Sequence, residues 1–249
     1  MTPRKPQPAK RAKPPVKQQE DTRHAILRAA VAEFSELGMA GARTDSIARA
    51  AGVNKALLHY YYGSKDALYS AVLDEVLAGY LETHLAVLRG EGTPGERILR
   101  YFLAHFNHLA AHGAFSRLME YEMMRARKGH PSHIARLVTN CLGPLNKAVR
   151  ETIAEGIRTG EFRRIDPGQF ALSITGANVF YFVAVPVVAE INGWDPRSPE
   201  MLELRRTAVL DLAAAALFAD REQGLFLAQA VREESKSSKA QRNPRGKRQ

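Results

Sequence analysis

The amino-acid sequence predicts an all-α protein, and three observations support this fold class. Apolar residues recur at spacings of three and four in several segments, which is the period of an amphipathic helix. Gly and Pro residues separate these segments, as expected where helices end. No segment shows the strict apolar and polar alternation of a half-buried strand. We therefore expect a small N-terminal helical unit followed by a larger helical body.

The first helix is predicted to begin after Asp21, a good N-cap, and to end at Gly38. Glycine adopts the positive φ of a helix C-cap without steric cost. The helix carries an apolar stripe that must pack against a neighbour, and its members are Ile26, Leu27, Ala30, Val31, Phe34 and Leu37.

Two short helices joined by a tight turn follow. The first runs to Ala51, and Gly52 supplies the positive φ of the turn. Asn54 can cap a second helix that begins with Lys55 and ends in three tyrosines. This arrangement is a helix-turn-helix, in which the second helix enters the major groove of DNA.

Within the second short helix, Leu58 and Tyr62 lie four residues apart and are predicted to face inward. The side chains that remain on other faces are available to DNA. Ser64 then caps a connecting helix, whose packing stripe is Leu68, Ala71, Val72 and Val76.

This segment resembles the DNA-binding domain of the TetR family of bacterial transcriptional regulators. The resemblance covers about a quarter of the chain. It departs from the usual pattern at four positions. Asn54 replaces the common Ser, Leu57 the common Thr or Ser, Tyr62 the common Phe, and Gly63 the common Pro. The matching residues are Ala29-Ala30, Phe34, Gly38, Ile47-Ala48, Ala51-Gly52-Val53, Lys55, Leu58, Tyr60 and Ser64-Lys65-Asp66-Ala67-Leu68.

The resemblance implies a set of DNA contacts at matching positions. Residues expected to face base edges are Lys55, Ala56, Leu57 and His59. Residues expected to hold phosphates are Arg43, Thr44, Tyr60, Tyr61 and Lys65. A Lys can donate to guanine acceptors, whereas Ala and Leu can only contact thymine methyl groups or exclude water. Packing within the core is an alternative role for Tyr61.

The net charge of +10 is concentrated at the two ends of the chain. Residues 1–19 hold six Lys or Arg and no acid, and residues 231–249 hold seven Lys or Arg and two Glu. Between them lie 23 basic and 24 acidic residues, so the middle is close to neutral. Basic ends can add salt-dependent DNA affinity or serve only solubility. We predict a disordered arm over residues 1–19 and a disordered tail over residues 227–249.

The body is divided by Gly, Pro and Asn-rich segments into further helices. We predict helices over residues 96–112 and 114–127, one long helix ending near residue 158, and two more over residues 169–189 and 198–219. With the resemblance, this predicts a DNA-binding domain over residues 20–66 and an effector-binding and dimerisation domain over residues 67–226.

The resemblance implies a small-molecule effector bound among the helices of residues 96–158. Candidate pocket residues are aromatic, Met, His or Leu side chains on these helices, although such stripes also form ordinary cores. They are Phe102, His105, Phe106, Phe115, Met119, Met123 and Leu137.

Three histidines at spacings of three and four, His105, His108 and His112, raise the alternative of a metal site. Glu120 or Glu122 of the next helix could complete such a site. A hydrogen-bonded or solvent-facing polar edge explains them as well, and we expect no metal and no cofactor. The single Cys141 excludes an intrachain disulfide.

The run from Ala171 to Ile191 is apolar almost all round, which requires burial on every side. It contains Asn178 and Pro186, so a buried helix at a homodimer interface is favoured over a membrane span. The residues expected at this interface are Gly176, Phe180, Val183, Val187, Leu210 and Leu217.

We therefore expect a cytoplasmic, homodimeric repressor that binds double-stranded palindromic DNA and is released by a small molecule. Ligand binding would favour a separation of the two DNA-binding domains that no longer matches the grooves. A constitutive or metal-responsive regulator of the same fold is an alternative, as is a non-specific binder acting through its tails. An enzyme is not expected, because no nucleophile elbow or His-Glu-x-x-His motif occurs.

Overall fold

The computed structural model describes residues 16–130 and 132–242, and within them the regular secondary structure is helical, as the sequence predicts. Twelve α-helices occur in this part of the chain. They are α1 (Val16–Gly41), α2 (Thr44–Ala50), α3 (Lys55–Tyr62), α4 (Lys65–Arg89), α5 (Pro94–Ala111), α6 (Gly113–Arg127), α7 (Ile134–Leu137), α8 (Gly143–Thr159), α9 (Pro167–Val183), α10 (Val185–Asn192), α11 (Pro199–Leu217) and α12 (Arg221–Arg242).

The chain divides into two compact units, residues 1–72 and residues 73–249. In the first unit, the ring of Phe34 on α1 meets that of Tyr69 on α4 edge to face, with centroids 4.9 Å apart. Tyr69 and Val72 are fully buried. These contacts place the division several residues later than the boundary after residue 66 that we predicted. The fully buried apolar side chains of this unit are Ile26, Ala30, Phe34, Ile47, Leu58, Leu68, Tyr69 and Val72.

Helix α1 begins earlier than predicted and breaks where predicted. Residues 16–19, which we assigned to a disordered arm, form its first turn, while residues 1–15 lie outside the described part of the chain. Gly38 has a φ of 64° and interrupts the helical geometry. Leu37, expected in the packing stripe, is 48% exposed because it precedes this break.

Helix α5 forms the centre of the second unit and packs against α8, α9, α11 and α12. A capping box fixes its start: the Thr93 hydroxyl accepts from the Glu96 amide, and the Glu96 carboxylate accepts from the Thr93 amide. Its apolar side chains are buried on nearly every face. In keeping with this central position, α5 contributes more buried apolar side chains to the second unit than any other helix does.

The single long helix predicted before residue 158 is wrong, because a π-helical turn over Val138–Leu142 separates α7 from α8. Gly143 donates its amide to the Val138 carbonyl five residues earlier. The following residue, Pro144, has no amide hydrogen to continue the usual ladder. The hydrogen-bond register therefore shifts at this point.

The predicted helix over residues 169–189 is also interrupted. Helices α9 and α10 meet at a 65° bend next to Pro186, which lacks the amide hydrogen that the Phe182 carbonyl would accept. Within residues 16–130 and 132–242, no single helix is both long and apolar enough to cross a membrane, and the α9–α10 pair passes that test only together.

The prediction of a disordered tail from residue 227 is wrong for residues 227–242, which belong to α12. Ala228 and Val231 of α12 are buried. Arg232 pairs with Asp211 of α11 at 2.5 Å, and Glu234 accepts from Arg100 of α5 at 3.0 Å. Packing and ion pairs with other helices thus stabilise a segment whose composition suggests disorder. Residues 243–249 lie outside the described part of the chain.

Candidate functional site

The turn between α2 and α3 has the geometry of a helix-turn-helix. Gly52 has a φ of 69°, and the Val53 amide donates to the Ala48 carbonyl at 2.9 Å. The Asn54 side chain accepts from the Leu57 amide at 2.8 Å and caps α3. Local sequence therefore sets the direction in which α3 leaves the turn.

The two faces of α3 differ sharply in exposure. Leu58 is fully buried, and the Tyr62 hydroxyl donates to the Arg23 carbonyl of α1 at 3.1 Å. The opposite face is open to solvent, and its exposed members are Lys55, Ala56, His59 and Tyr60, with Leu57 half-buried beside them. Of the four residues expected to face base edges, Lys55, Ala56 and His59 are thus exposed, and Leu57 is half-buried.

Two of these residues have partners that DNA could replace. The Lys55 amine forms an ion pair with Asp45 of α2 at 3.0 Å, and both side chains are more than half exposed. Such surface pairs contribute little to stability. The His59 imidazole lies 2.9 Å from the Gly63 carbonyl through Nδ1, which leaves Nε2 free to point away from the backbone.

The residues expected at phosphates surround α3. Arg43 is exposed immediately before α2, and its amide donates to the Glu33 carboxylate at 3.0 Å. Tyr60 is 66% exposed and contacts the half-buried Tyr61 edge to face at 5.3 Å. Lys65 lies in the first turn of α4 with its amine 3.4 Å from the Ala40 carbonyl. Thr44, at the start of α2, is half-buried.

The second unit contains a mostly apolar cavity of about 190 Å³ between α4, α5, α6 and α9. Four predicted pocket residues line it: His105, Phe115, Met119 and Met123. The other three do not. Phe102 and Phe106 are fully buried core residues, and Leu137 lines a separate groove beside α4.

Sequence reasoning missed the lining residues that come from α4 and α9. Tyr80 of α4 and Thr175, Val179 and Phe182 of α9 lie outside the segment of residues 96–158 that we considered. Ser116 and Glu120 of α6 were not proposed for the pocket either. Their helical spacing relative to Met119 and Met123, on the same face of α6, was the available signal.

The deepest lining residue is His105, which is 2% exposed. The Asn178 amide nitrogen of α9 lies 3.1 Å from His105 Nδ1 and donates at 3.3 Å to the Phe102 carbonyl. Burial, with smaller contributions from His84 and His108, lowers the pKa of His105 to about 3. The ring is therefore neutral at physiological pH.

Aromatic rings and imidazoles surround this position. The Tyr80 ring stacks on Phe115 at 4.7 Å and lies 4.8 Å from the His108 ring. Burial, followed by the neighbouring His112 and His84, lowers the pKa of His108 to about 4. Burial also raises the pKa of Tyr101 to about 12. These groups form an uncharged polar cluster within the apolar core.

The histidines are not arranged as a metal site. The described residues contain no group of three or more His, Cys, Asp or Glu side chains placed to hold an ion. His108 and His112 stack on each other at 4.2 Å instead. The Glu122 carboxylate, considered as a further ligand, accepts from the His133 amide.

The residues expected at a dimer interface fall into two groups. Gly176, Phe180, Val183 and Val187 are exposed on α9 and α10, and Phe180 is 69% exposed. Leu210 and Leu217 are fully buried within one chain, so their assignment to the interface is wrong. Helix α11, which carries both residues, packs against α5, α9 and α12 of the same chain.

The sequence matches two families of known proteins. Residues 26–72 match the family described as bacterial regulatory proteins, tetR family. Residues 94–212 match the family described as tetracyclin repressor-like, C-terminal domain. One match lies in the first structural unit and the other in the second.

Relatives and solved structures agree with these matches. The HTH-type transcriptional regulator RutR of Escherichia coli is 33% identical over 172 residues, covering 68% of this chain and 77% of RutR. The HTH-type transcriptional repressor NicS of Pseudomonas putida is 30% identical over 145 residues, covering 56% of this chain and 67% of NicS.

Two solved structures share the fold. The Streptomyces coelicolor protein SCO4942, titled a transcriptional regulator, has a TM-score of 0.59 at 24% identity, covering 77% of this chain and 97% of that one. A protein titled gamma-butyrolactone receptor has a TM-score of 0.63 at 18% identity, covering 87% of this chain and 99% of that one.

Proposed function

We propose a specific role for this chain, which belongs to the TetR family of bacterial regulatory proteins. It is a homodimeric repressor that a small-molecule effector releases from a palindromic operator. That it is a DNA-binding transcriptional regulator follows from the family itself and from its relatives. The repressor role, the dimer, the effector and action in the cytoplasm are the parts we add.

The exposed face of α3 carries the proposal for DNA recognition. Lys55 offers an amine to guanine acceptors, and His59 offers a ring nitrogen to base edges. Tyr60 and Lys65 would hold phosphates and set the register of α3 in the groove. The buried Leu58 and Tyr62 hold the helix against the first unit while its other face remains accessible.

A two-fold dimer is supported by an apolar surface that one chain leaves uncovered. We call this the apolar surface; it consists of Leu172, Phe180, Val183, Val187, Ile191, Leu204 and Leu212, each at least 47% exposed. These residues lie on α9, α10 and α11, and Arg205 of α11 donates to the Ala177 carbonyl of α9 at 3.0 Å. Exposed apolar surface of this kind marks an interaction site. Two copies would address two half-sites.

The cavity of the second unit is the proposed effector site. Tyr80, one of its lining residues, belongs to α4. Helix α4 begins at Lys65, shortly after the end of α3. A ligand that favours one arrangement of α4 over another would change operator affinity. This requires only that the ligand bind the two states with different affinities.

The test is fluorescence anisotropy of the full chain with DNA from upstream of its own gene and with a scrambled duplex, at near-physiological salt. We expect preference for the upstream DNA by a factor on the order of a thousand. The Lys55→Ala variant should lose about tenfold of this preference, because one base contact contributes about 1–3 kcal/mol of discrimination. Lys147→Ala is the matched control, since Lys147 is exposed on α8 of the second unit.

Equal and weak binding to both duplexes would contradict recognition of this operator. An unchanged preference in the Lys55→Ala variant would contradict the placement of α3 against base edges. A binder that acts through its basic ends would show little sequence preference and a steep dependence on salt.

A further inference from the structure

The chemistry of the cavity in the second unit indicates what kind of molecule it accepts. Its walls are mainly apolar, formed by side chains such as Leu109, Phe115 and Val179. An apolar cavity of about 150 Å³ in another protein is known to stay dry and to bind benzene. A cavity of about 190 Å³ therefore accommodates a molecule of on the order of ten non-hydrogen atoms.

One hydrogen-bond donor of the cavity is His105. The Asn178 side-chain nitrogen carries two hydrogens, and it donates one of them to the Phe102 carbonyl. The same nitrogen lies next to His105 Nδ1 and can only donate there as well. Nδ1 must then accept, and the ring hydrogen is on Nε2. The side chain is almost completely buried, and His105 lines the cavity. A ligand or water in the cavity can therefore accept a hydrogen bond from Nε2.

A second donor is Ser116, near the start of α6. Its hydroxyl oxygen is buried and has no hydrogen-bond partner among the described residues. Ser116 lines the same cavity as His105. The cavity thus presents two polar groups that a single oxygen-bearing molecule could satisfy.

Charge limits the ligand further. Among the described residues that line the cavity there is no Lys or Arg, and the one ionisable acid is Glu120. Burial raises the pKa of Glu120, and the neutral His105 supplies no positive charge. An anion would find no cationic side chain in the lining itself, because Arg117 and Arg197, whose charges act on Glu120, are not lining residues.

We propose that this cavity binds a small, uncharged, mainly apolar molecule that carries a carbonyl-type oxygen, which accepts hydrogen bonds from His105 Nε2 and the Ser116 hydroxyl. The proposal rests on the proposed function only in treating this molecule as the effector. The ligand class itself follows from the cavity.

The test uses three probes of similar size with the full chain in the absence of DNA. Acetophenone carries a carbonyl group, isopropylbenzene lacks an acceptor, and benzoate is an anion. Isothermal titration calorimetry should give a dissociation constant for acetophenone at least tenfold lower than for the other two. Ser116→Ala should weaken acetophenone binding about three- to tenfold and leave isopropylbenzene unchanged, as expected for one hydrogen bond.

Ser173→Ala is the matched control, because it makes the same chemical change on the exposed side of α9. His105→Leu should also lose the selectivity for acetophenone. If His105→Leu does not fold, Ser116→Ala still tests the proposal. Benzoate binding as tightly as acetophenone, or equal binding of isopropylbenzene, would overturn the proposal. So would an unchanged affinity in Ser116→Ala, or the absence of saturable binding by all three probes.

Operator binding is measured separately, so the two proposals can fail independently. Acetophenone that binds with the expected selectivity but leaves operator affinity unchanged supports the ligand class and contradicts release by a ligand in this cavity. Operator recognition without any probe binding contradicts the ligand class and leaves DNA recognition intact.

Discussion

If α3 enters the major groove as we propose, hydrogen bonding to bases would depend on very few side chains of its exposed face. Lys55 and His59 can exchange hydrogen bonds with base edges, whereas Ala56 and Leu57 offer only apolar contacts. Apolar contacts select thymine methyl groups or exclude water. Sequence preference at the centre of each half-site should therefore depend on shape and methyl contacts more than on donors.

The buried imidazoles make the stability of the second unit depend on pH. Burial lowers the pKa of His105 to about 3 and that of His108 to about 4, from an ordinary value of 6.5. Between these values the unfolded chain binds more protons than the folded chain does. The stability that these neutral imidazoles contribute is thus complete above pH 6.5, and it is lost as the pH falls toward 4 for His108 and toward 3 for His105.

We expect His105→Gln, which can still accept from Asn178 but does not titrate, to reduce this dependence. The difference in the free energy of unfolding between pH 7 and pH 5 should shrink by about 1–2 kcal/mol. Urea denaturation followed by the fluorescence of Trp194, the single tryptophan, reports on the second unit. His130→Gln, which makes the same change at an exposed histidine, is the matched control. An equal pH dependence in the wild type and His105→Gln would contradict a neutral, buried His105.

At the scale of helices, prolines account for the two places where predicted helices are divided. Pro144 follows the π-helical turn before α8, and Pro186 follows the bend between α9 and α10. In each case the missing amide hydrogen leaves a carbonyl of the preceding turn without its usual donor. Periodicity alone continued across both positions, because apolar residues occur on either side of them.

Helix α12 depends on its neighbours for stability. Its composition is polar, yet Ala228 and Val231 are buried, and Arg232 pairs with Asp211. Phe218, just before α12, contacts Phe162 edge to face at 5.1 Å. It also lies so close to Gly95 and Gly224 that a Cβ atom at either glycine would come within 2.7 Å of its ring. The absence of side chains at these two glycines thus allows the connection to α12 to pack onto α5.

We expect Val231→Ala to lower the free energy of unfolding of the second unit by about 1–2 kcal/mol, because it removes buried methyl groups. Gln229→Ala, two residues earlier on the exposed side of α12, should change it by less than about 0.5 kcal/mol. Denaturant unfolding monitored at Trp194 measures both. Equal stability of the two variants would mean that α12 does not pack as described.

At the scale of the whole molecule, we propose that the apolar surface holds two copies of the chain together. Helix α9 buries Ala171, Ile174 and Phe182 within the chain and leaves Phe180 and Val183 exposed on its other side. A helix with apolar residues on both sides requires a second partner. In the proposed dimer, a two-fold copy of the same surface would provide that partner.

We expect Phe180→Glu to convert a dimer to a monomer and to weaken operator binding by tenfold or more, since a monomer contacts one half-site. The charge would be buried at the centre of the interface without a partner, which is costly. Val138→Glu is the control, because Val138 is 46% exposed but lies outside the apolar surface. Sedimentation velocity and anisotropy measure the two effects. A Phe180→Glu protein that remains dimeric would place the interface elsewhere.

Much of the structure of the first unit could be predicted, because the sequence patterns that determine it involve residues close together in the chain. Caps, the positive-φ glycine of the turn and the spacing of apolar residues within one or two helical turns assign Leu58 inward and Lys55 outward. These signals act between residues close in sequence. The all-α fold class is predictable for the same reason.

The cavity and the division between core and exposed apolar residues depend on long-range packing. His105 and Asn178 are 73 residues apart in sequence, and no local pattern indicates that they are hydrogen-bonded. Leu217 is buried and Phe180 is exposed, although both are apolar residues on apolar helices. The amino-acid sequence by itself thus determined the all-α class, the helix-turn-helix and the outward side chains of α3. The three-dimensional packing of α5, α9, α11 and α12 decided the cavity, the exposed apolar surface and the order of residues 227–242, because burial depends on neighbours distant in sequence.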